Sequence, residues 1–469
     1  MKKEKKKIFV IVGAVVACLA VVYVGFGIFF QSHFCFGTTI DGIKAGGKSV
    51  EKVEQLITEE IDSYVLNLAE REDGSESISG ESIQIAPVFN GEVEELLNGQ
   101  NGFAWVVTLF KHDNLELAKV VTFDEDALDS QIDQLNCMQA SEQREPVDAT
   151  VSAYTADGYS LVPADYGTTI DKNTFKKAVE DSILVLADEL DLDEADCYVK
   201  PEIEDDNEKL LAVIDEMNSY VGTTITYDFD VAKEVLDGER ISEWLSVDDD
   251  LNLVVDEEGV LSFVKELASE YNTCYKPKEL KTSYGSTVTI SNGPYGWKIN
   301  NSEEVAQILD DLKAGKKVER EPVYAQTANS HGENDYGNSY VEINLTAQHL
   351  FLYKDGVLVT ESDFVSGNVA KGHATPGGAF MLTYKTLNAV LRGPDYETPV
   401  TYWMPFNGDI GMHDLTSRKA FGGDIYKTRG SHGCINLPYS AAKKIYETID
   451  KGYCVLVYNL PGTESDTVK

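Results

Sequence analysis

Cysteine is scarce in this sequence, with seven residues among 469. The seven are scattered along the chain without close pairs: Cys18, Cys35, Cys137, Cys197, Cys274, Cys434 and Cys454. This spacing excludes a small disulfide-stapled scaffold and the clustered ligands typical of a structural zinc site. A bridge between Cys137 and Cys274, or between Cys197 and Cys274, stays open, although buried free thiols are the simpler expectation.

Basic residues are also in the minority. The chain has 40 Lys and Arg against 79 Asp and Glu, which gives a formal net charge of -39. A nucleic-acid-binding surface needs clustered cations, so nucleic acid is excluded as a partner. The acidic residues are densest in residues 201–260, a stretch that contains 19 Asp and Glu but only three Lys and Arg. We interpret this stretch as a solvated acidic surface.

One long stretch lacks charge altogether. Residues 8–30, IFVIVGAVVACLAVVYVGFGIFF, contain no Pro, Asn or Gln and are long enough to cross a bilayer as a helix. The five lysines in residues 1–7 predict a cytoplasmic N-terminus, which places the chain after about residue 31 outside the cell membrane. A cleaved signal peptide is the alternative, but the apolar run is too long and no small-x-small cleavage site follows it.

The outer part contains an internal repeat. FDEDALDSQIDQL, from Phe123, matches VDEEGVLSFVKEL, from Val255, and YGTTIDKNTFKKAVEDSI, from Tyr166, matches YGWKINNSEEVAQILDDL, from Tyr295. Each segment opens with a capping residue or turn and continues with apolar residues at helical spacing. The sequence therefore predicts two tandem α+β modules, residues 31–205 and 206–330. Their aromatics are predicted to be core residues: Trp105, Tyr166, Trp244, Tyr295 and Trp297.

The sequence after residue 330 differs in composition from the two predicted modules. Residues 331–337 are polar and contain glycine, which predicts a linker. Residues 338–459 begin with alternating apolar positions around a Lys-Asp-Gly turn, which predicts a hairpin and a β-rich domain with few helices. Residues 460–469 are predicted to be a tail. The fold class is thus multidomain, with a transmembrane helix, two α+β modules and a β-rich C-terminal domain.

Most of the candidate catalytic residues lie in RGSHGCINLP, residues 429–438. Cys434 lies among glycine, serine and histidine, which favours a reactive thiol over a core cysteine. Because Gly433 has no side chain, backbone N–H groups around His432, Gly433 and Cys434 can converge on an oxyanion. His413 is the candidate base, and Asp414 or a nearby backbone carbonyl could fix its tautomer.

A zinc site is the chemical alternative for this region. His413, His432 and Cys434 lack an obvious fourth ligand, and two of them stand on one tight loop. We therefore expect no metal, and acyl transfer by a thiol needs no organic cofactor.

The order of His413, a gap and then SHGCIN resembles the signature of the L,D-transpeptidases. The resemblance covers about residues 338–459 and includes TPGG, residues 375–378, and YWMPF, residues 402–406, without a departure from the motif. The tandem modules are similar to the peptidoglycan-binding domains that precede this catalytic domain in some membrane-anchored Gram-positive members.

The resemblance implies a peptidoglycan L,D-transpeptidase. Cys434 would form a thioester with the third residue of a stem tetrapeptide, release the terminal D-Ala and yield a 3→3 cross-link. His413 would be the general base and later acid, with Asp414 as its possible orienter. Backbone N–H groups around His432, Gly433 and Cys434 would form the oxyanion hole. The residues implied to contact substrate or shape its site are Thr375, Gly378, Trp403, Ser431 and Asn436.

The implied partners are donor and acceptor stem peptides, with the membrane as the anchoring partner and carbapenems as covalent inhibitors. Two alternatives remain open at this level. An L,D-carboxypeptidase would use the same acyl-enzyme with water as the acceptor, and a non-catalytic scaffold would only bind the wall. The retained pair of Cys434 and His413 argues against the scaffold.

Overall fold

The computed structural model describes residues 2–117, 120–332, 334–393 and 396–464. The chain divides into two compact units. The first contains the residues up to Thr150 together with Leu161–Asn207, and the second contains Val151–Ser160 and the chain from Glu208 onward. Residue 1 of the predicted basic tail, residue 333 of the predicted linker and residues 465–469 of the predicted C-terminal tail lie outside the described residues.

The elements of the chain up to residue 191 are short apart from three helices. The helices are α1 (Lys2–Phe29), α2 (Val50–Asp62), α3 (Glu92–Asn98), α4 (Trp105–Thr108), α5 (Glu125–Ile132) and α6 (Lys172–Leu184). The strands are β1 (Thr39–Ile40), β2 (Ile43–Lys44), β3 (Val65–Ala69), β4 (Ser75–Ser79), β5 (Ala86–Pro87), β6 (Asn114–Leu115), β7 (Val121–Thr122), β8 (Thr150–Val151), β9 (Leu161–Val162) and β10 (Glu189–Asp191).

The chain from residue 208 onward holds longer strands. The helices are α7 (Glu208–Val221), α8 (Gly238–Ser242), α9 (Glu257–Tyr271), α10 (Asn301–Lys313), α11 (Ile425–Arg429) and α12 (Tyr439–Thr448). The strands are β11 (Thr224–Asp228), β12 (Lys233–Leu236), β13 (Leu245–Val247), β14 (Leu253–Val255), β15 (Lys278–Lys281), β16 (Thr287–Ile290), β17 (Lys298–Ile299), β18 (Lys317–Arg320), β19 (Tyr324–Gln326), β20 (Tyr340–Asn344), β21 (His349–Lys354), β22 (Val357–Asp363), β23 (Gly378–Met381), β24 (Thr386–Gly393), β25 (Tyr396–Asn407), β26 (Ile410–Asp414), β27 (Ile435–Leu437) and β28 (Cys454–Tyr458).

The N-terminal helix α1 is long and apolar enough to cross a membrane. Its apolar side chains are exposed along most of its length, as expected for a helix whose solvent is lipid rather than water. A secretory signal near an N-terminus would have the same length and composition, so the helix itself does not distinguish an anchor from a signal.

The repeat predicted from sequence appears as a shared sheet order. In the first unit, β3 pairs antiparallel with β4 and parallel with β10. In the second unit, β11 pairs in the same way with β12 and β18. The four predicted helices also form, and each begins at a side-chain cap that accepts from a backbone N–H: Asp124, Asp171, Asp256 and Asn300.

All three singled-out aromatics of the second repeat are core residues, as predicted, whereas Trp105 and Tyr166 of the first repeat are only half-buried. Tyr295 is fully buried, and Trp244 and Trp297 are nearly so. The same repeat also buries an ionic network, in which Arg320 pairs with Glu304 at 2.8 Å and Asp311 at 3.1 Å. The Tyr227 hydroxyl donates to the Glu304 carboxylate at 2.6 Å, so this charge is paired and hydrogen-bonded.

The segment predicted as a linker is packed rather than free. The His331 ring stacks on Trp297 with centroids 3.7 Å apart, and Tyr336 is buried. Asp335 forms a buried ion pair with Lys278 at 2.6 Å. All seven cysteines are free thiols, and Cys454 is buried within β28.

The C-terminal domain contains two sheets around one core. The larger sheet has the order β22-β21-β20-β28-β23, and the smaller has the order β24-β25-β26-β27. Helix α12 buries Ala441, Ala442 and Ile445 in the same apolar cluster. The domain is therefore β-rich with few helices, as the sequence predicts, and the smaller sheet carries the candidate site.

Candidate active site

The pairing of β26 with β27 brings the predicted nucleophile and base together. The two strands are parallel, with His413 opposite Asn436 and Met412 opposite Ile435. Since side chains alternate between the faces of a sheet, Cys434, directly before β27, points to the same face as Asn436 and His413. A separation of 21 residues in sequence is thereby reduced to neighbouring positions on adjacent strands.

These side chains line one cavity of about 210 Å³. The lining residues are Leu391, Thr398, His413, Leu415, Arg418, Gly430, Ser431, His432, Cys434 and Asn436. The cavity therefore contains a thiol, an imidazole and a guanidinium within one small volume. Within the described part of the chain, the predicted residues Thr375, Gly378 and Trp403 do not line it.

The imidazole of His413 is held in one orientation. It is buried, and its Nδ1 lies 2.9 Å from the backbone carbonyl oxygen of Asp414. A carbonyl oxygen can only accept, so Nδ1 carries the proton and Nε2 is left as the basic nitrogen. Burial lowers the pKa of His413 from its ordinary value, an effect that the nearby Arg418 increases and the contacts with Asp414 oppose.

The Asp414 carboxylate bonds to the backbone of β25 instead of orienting His413, the role that the sequence suggested for it. Its Oδ1 accepts hydrogen bonds from the backbone N–H groups of Thr401 at 2.8 Å and Tyr402 at 2.7 Å. The carboxylate therefore ties β26 to β25, while the histidine is oriented by the backbone. Of the two orienters that the sequence left open, the structure brings the carbonyl to His413.

The surroundings of Cys434 favour its neutral thiol over the thiolate. Its Sγ donates to the backbone carbonyl of Asp409 at 3.6 Å. Burial raises the pKa of Cys434 above its ordinary value, with a further contribution from Asp409 and an opposing one from a backbone hydrogen bond of Gly411. A raised thiol pKa beside a lowered imidazole pKa favours an uncharged pair over a thiolate–imidazolium pair.

The loop that carries Cys434 is braced from both sides. Ser431 Oγ donates to the Cys434 carbonyl at 2.5 Å and accepts from the Gly433 N–H at 3.0 Å. Thr375 Oγ1 donates to the Gly433 carbonyl at 2.7 Å and accepts from the Gly367 N–H at 3.0 Å. Thr375 and Ser431 thus shape the site by holding backbone.

Glycine is required at position 433. Its φ is +126°, a conformation that residues with a Cβ rarely adopt, and an added Cβ would lie 3.2 Å from the Ile410 side chain. The Gly433 N–H is already bonded to Ser431, whereas the Cys434 N–H has no hydrogen-bond partner among the described residues. Of the oxyanion donors predicted at Gly433 and Cys434, the Cys434 N–H is therefore the one that stays available.

The other predicted residues lie around the cavity in distinct positions. Trp403 is opposite His413 in the β25–β26 register, with ring centroids 5.9 Å apart, and so packs beside the base. Gly378 pairs with Val457 in the other sheet, away from the cavity lining. His432 lines the cavity, and its ring centroid lies 4.8 Å from that of His373.

Asn436 presents an unused acceptor. It is buried, its backbone bonds to Val365, and its side-chain Oδ1 has no hydrogen-bond partner among the described residues. A buried polar atom without a partner is costly, and this one belongs to the cavity lining. It is therefore suited to accept an N–H from a bound peptide.

Sequence reasoning missed Arg418, Leu391 and Thr398. Leu391 and Thr398 are opposite each other in the β24–β25 hairpin and form one wall of the cavity. Arg418 lies in the loop after β26 and donates to the Arg429 carbonyl at 3.0 Å, but its Nε has no partner in the described chain. Its position five residues after His413 in a polar loop offered no signal by itself.

Two family models match the chain. Residues 338–457 match the L,D-transpeptidase catalytic domain, also called YkuD, and residues 206–320 match a peptidoglycan binding domain. The first range includes every residue of the cavity lining. No curated protein sequence matches the chain significantly.

Solved structures of L,D-transpeptidases are similar to this chain. A mutant L,D-transpeptidase of Enterococcus faecium is 32% identical over 52% of this chain and 99% of its own, with a TM-score of 0.44. The catalytic domain of the E. faecium enzyme acylated by ertapenem is 43% identical over 26% of this chain and 97% of its own, with a TM-score of 0.24.

A third structure, an L,D-transpeptidase of Stackebrandtia nassauensis, is 33% identical over 27% of this chain and 58% of its own, with a TM-score of 0.23. The first E. faecium chain shares 32% of its residues with this chain over 99% of its own length, and residues 338–457 match the catalytic-domain model. The chain belongs to the L,D-transpeptidase family.

Proposed function

We propose that this L,D-transpeptidase forms 3→3 cross-links between peptidoglycan stem peptides through a thioester on Cys434. The observation that carries the proposal is that the Cys434 thiol lines the same small cavity as an imidazole whose Nδ1 is bonded to the Asp414 carbonyl. A neutral thiol beside a correctly protonated neutral base is the resting state that general-base catalysis needs.

The first half-reaction transfers an acyl group to the enzyme. His413 Nε2 takes the proton of Cys434 Sγ as the sulfur attacks the carbonyl carbon of the third stem residue. The tetrahedral intermediate collapses with cleavage of the C–N bond to the terminal D-Ala, and His413 returns the proton to the leaving amine. The product is a thioester and free D-Ala.

The second half-reaction transfers the acyl group to another stem. The amine on the third residue of the acceptor attacks the thioester carbonyl and gives its proton to His413. The C–S bond breaks, the sulfur regains the proton, and the site returns to its resting state. Water in place of the amine would give the L,D-carboxypeptidase, and exclusion of water by the acceptor decides between the two.

The oxyanion is stabilised by the Cys434 N–H in this proposal. That group has no other partner in the described chain and directly follows Gly433, at which no side chain hinders the approach of a carbonyl. A preorganised backbone donor of this kind is worth about 100- to 1,000-fold in rate.

Arg418 binds the terminal carboxylate of the donor stem. Its guanidinium lines the cavity, and no carboxylate among the described residues forms an ion pair with it. Burial and the neighbouring Arg429 both lower the pKa of Arg418, so an anion beside its guanidinium would stabilise the charged form. A tetrapeptide stem that ends in D-Ala supplies that anion.

Helix α1 is proposed to be the anchor that holds the enzyme on the cell membrane, with its N-terminus in the cytoplasm. Five lysines precede the apolar part of the helix, and the domain that matches the peptidoglycan-binding model follows it. The catalytic domain then faces the cell wall, in which both stem peptides are found.

The test uses the full-length protein in lipid nanodiscs, incubated with a disaccharide-tetrapeptide and followed by mass spectrometry. Cys434→Ala is compared with wild type, and Cys274→Ala, which removes a half-buried thiol outside the cavity, is the matched control. We expect cross-linked dimer and free D-Ala from wild type and from Cys274→Ala, and neither from Cys434→Ala.

The other outcomes are informative. Tripeptide without dimer would assign the carboxypeptidase reaction. Unchanged substrate in the wild-type sample would overturn the proposed catalysis and favour the non-catalytic scaffold. A carbapenem should add its full mass to the wild-type protein and not to Cys434→Ala.

A further inference from the structure

An exposed apolar segment follows helix α3 in the first unit. We call residues 102–110, GFAWVVTLF, the apolar shelf; it comprises a 3-10 turn, Gly102–Ala104, and the short helix α4. Its exposed side chains are large: Phe110 is 86% exposed and Val107 61%, followed by Phe103, Val106 and Leu109. Five neighbouring apolar side chains in contact with solvent form a patch that a water-soluble surface rarely carries.

The shelf packs against the end of α1. Trp105 Nε1 donates to the Tyr23 carbonyl at 3.2 Å, and the Tyr23 hydroxyl donates to the Phe103 carbonyl at 2.7 Å. The Trp105 ring centroid lies 5.0 Å from that of Phe26. Both α1 and the shelf belong to the first unit.

Two glycines permit this close packing. A Cβ on Gly27 would lie 2.4 Å from the Phe103 ring, and a Cβ on Gly102 would lie 2.9 Å from the Gly27 carbonyl. Backbones that approach this closely need residues without side chains on both partners. The contact between α1 and the shelf is therefore built into the packing of both segments.

The length of α1 determines where this contact lies. Its apolar part, residues 8–29, spans about 33 Å at 1.5 Å per residue, close to the roughly 30 Å of a bilayer core. If the bilayer ended before Tyr23, residues 8–22 would supply only about 22 Å. The turns from Tyr23 to Phe29 are therefore needed in the bilayer, and the shelf that packs on them shares that depth.

The shelf has the properties that this position demands. Its turns are closed locally: the Ala104 N–H donates to the Asn101 carbonyl at 2.8 Å, and the Phe110 N–H donates to the Val107 carbonyl at 3.1 Å. Backbone groups in lipid must be satisfied in this way. Lys111 follows directly and pairs with Asp113, which marks the return to water.

We propose that the apolar shelf inserts into the outer face of the bilayer beside α1, so that the first unit is seated on the lipid surface. The proposal rests on the membrane anchoring proposed above. Helix and shelf present one continuous apolar surface, which argues for a lipid occupant rather than a protein partner. The net charge of -39 excludes attraction to anionic lipid as the cause, so uncharged lipid is expected to suffice.

The test measures whether Trp105 lies in lipid. The full-length protein is reconstituted into phosphatidylcholine vesicles with and without bromine on the acyl chains, since bromine quenches tryptophan fluorescence on contact. The fluorescence of Trp105 is the difference between wild type and Trp105→Phe, because the other tryptophans, Trp244, Trp297 and Trp403, are buried in the second unit. We expect most of this difference to be lost in brominated vesicles.

Charge substitutions make the test specific. Val107→Glu should restore much of the Trp105 fluorescence in brominated vesicles, because a carboxylate resists insertion. Val185→Glu, at a valine of the same unit that is 75% exposed outside the shelf, should not. Both side chains are exposed, so neither change disturbs the core.

Flotation of the vesicles separates this proposal from the anchoring itself. Protein that floats with the vesicles but shows no quenching at Trp105 would overturn the shelf proposal and leave the anchor intact. If such protein also migrated as a dimer, the face would be assigned to a second copy of the chain. Protein that does not float would overturn both proposals.

Discussion

The Nδ1 atom of His413 lies 2.9 Å from the backbone carbonyl oxygen of Asp414, while the carboxylate of the same aspartate accepts from Thr401 and Tyr402. One residue thus holds the base through its backbone and the neighbouring strand through its side chain. The orientation of His413 therefore depends on the path of β26 rather than on a third catalytic side chain.

Asp414→Ala should reduce stability far more than chemistry. It leaves two buried N–H groups without an acceptor, at about 1–3 kcal/mol each, whereas the His413 bond to the backbone remains. Thermal unfolding and the rate of carbapenem acylation measure the two effects. Asp414→Asn, which keeps an acceptor oxygen, should be close to wild type in both; a large loss of its acylation rate without a change in Tm would make the carboxylate the orienter.

Arg418→Gln should weaken recognition of the donor stem. Hydrogen bonds to charged groups contribute about 1.5–3 kcal/mol, so kcat/KM for the tetrapeptide should fall about 10- to 100-fold. With a donor that ends in a carboxamide, wild type and Arg418→Gln should become similar. Arg392→Gln, on the exposed part of the β24–β25 hairpin, is the matched control. An equal loss with both donors would assign Arg418 a structural role.

Thr375→Val should loosen the loop that carries Cys434. It removes one hydroxyl that bonds to both Gly367 and Gly433, with a cost to folding of about 1–3 kcal/mol. The acylation rate should fall with it, because the Cys434 N–H loses its fixed position. Thr375→Ser retains the hydroxyl and should restore both stability and rate; failure of the serine variant would shift the cause to packing of the threonine methyl group.

Acylation should have a broad pH optimum. Burial lowers the pKa of His413 below its ordinary value of 6.5, so the base stays neutral and active as the pH falls through 6.5. Burial raises the pKa of Cys434 above its ordinary value of 9.0, so the thiol keeps its proton up to at least that pH. Carbapenem acylation rates measured across pH 5–10 test this expectation. A rate that already falls with decreasing pH above pH 6.5 would contradict a lowered pKa of His413.

Arg320→Ala should destabilise the second repeat. Removing the guanidinium leaves Glu304 buried without its cation and Asp311 with Lys316 alone, which costs about 3–5 kcal/mol. Arg240→Ala removes exposed ion pairs with Glu243 and Glu266 and should cost no more than about 1 kcal/mol. Calorimetric unfolding of the full chain compares them, and equal Tm values would show that the buried network is not needed for folding.

Local sequence patterns were enough to predict much of the fold. The repeat was visible because helix caps and apolar spacing are local: Asp124 and Asp256 open equivalent helices, as do Asp171 and Asn300. Helix α1 was predicted just as directly, from its uninterrupted run of apolar residues. The packing of residues 331–337 was not, because His331 stacks on a tryptophan that lies 34 positions earlier in the chain.

The candidate site, like the fold, was predictable from the sequence only in part. The sequence by itself determined that the Cys434 thiol lies among small residues and that His413 precedes it, since the identity and order of residues can be read directly. Only the tertiary structure decided that a carbonyl orients His413, that Ser431 uses the Gly433 N–H and that Arg418 enters the cavity. Each of these depends on strand register and on which atoms lose water, and no local pattern encodes either.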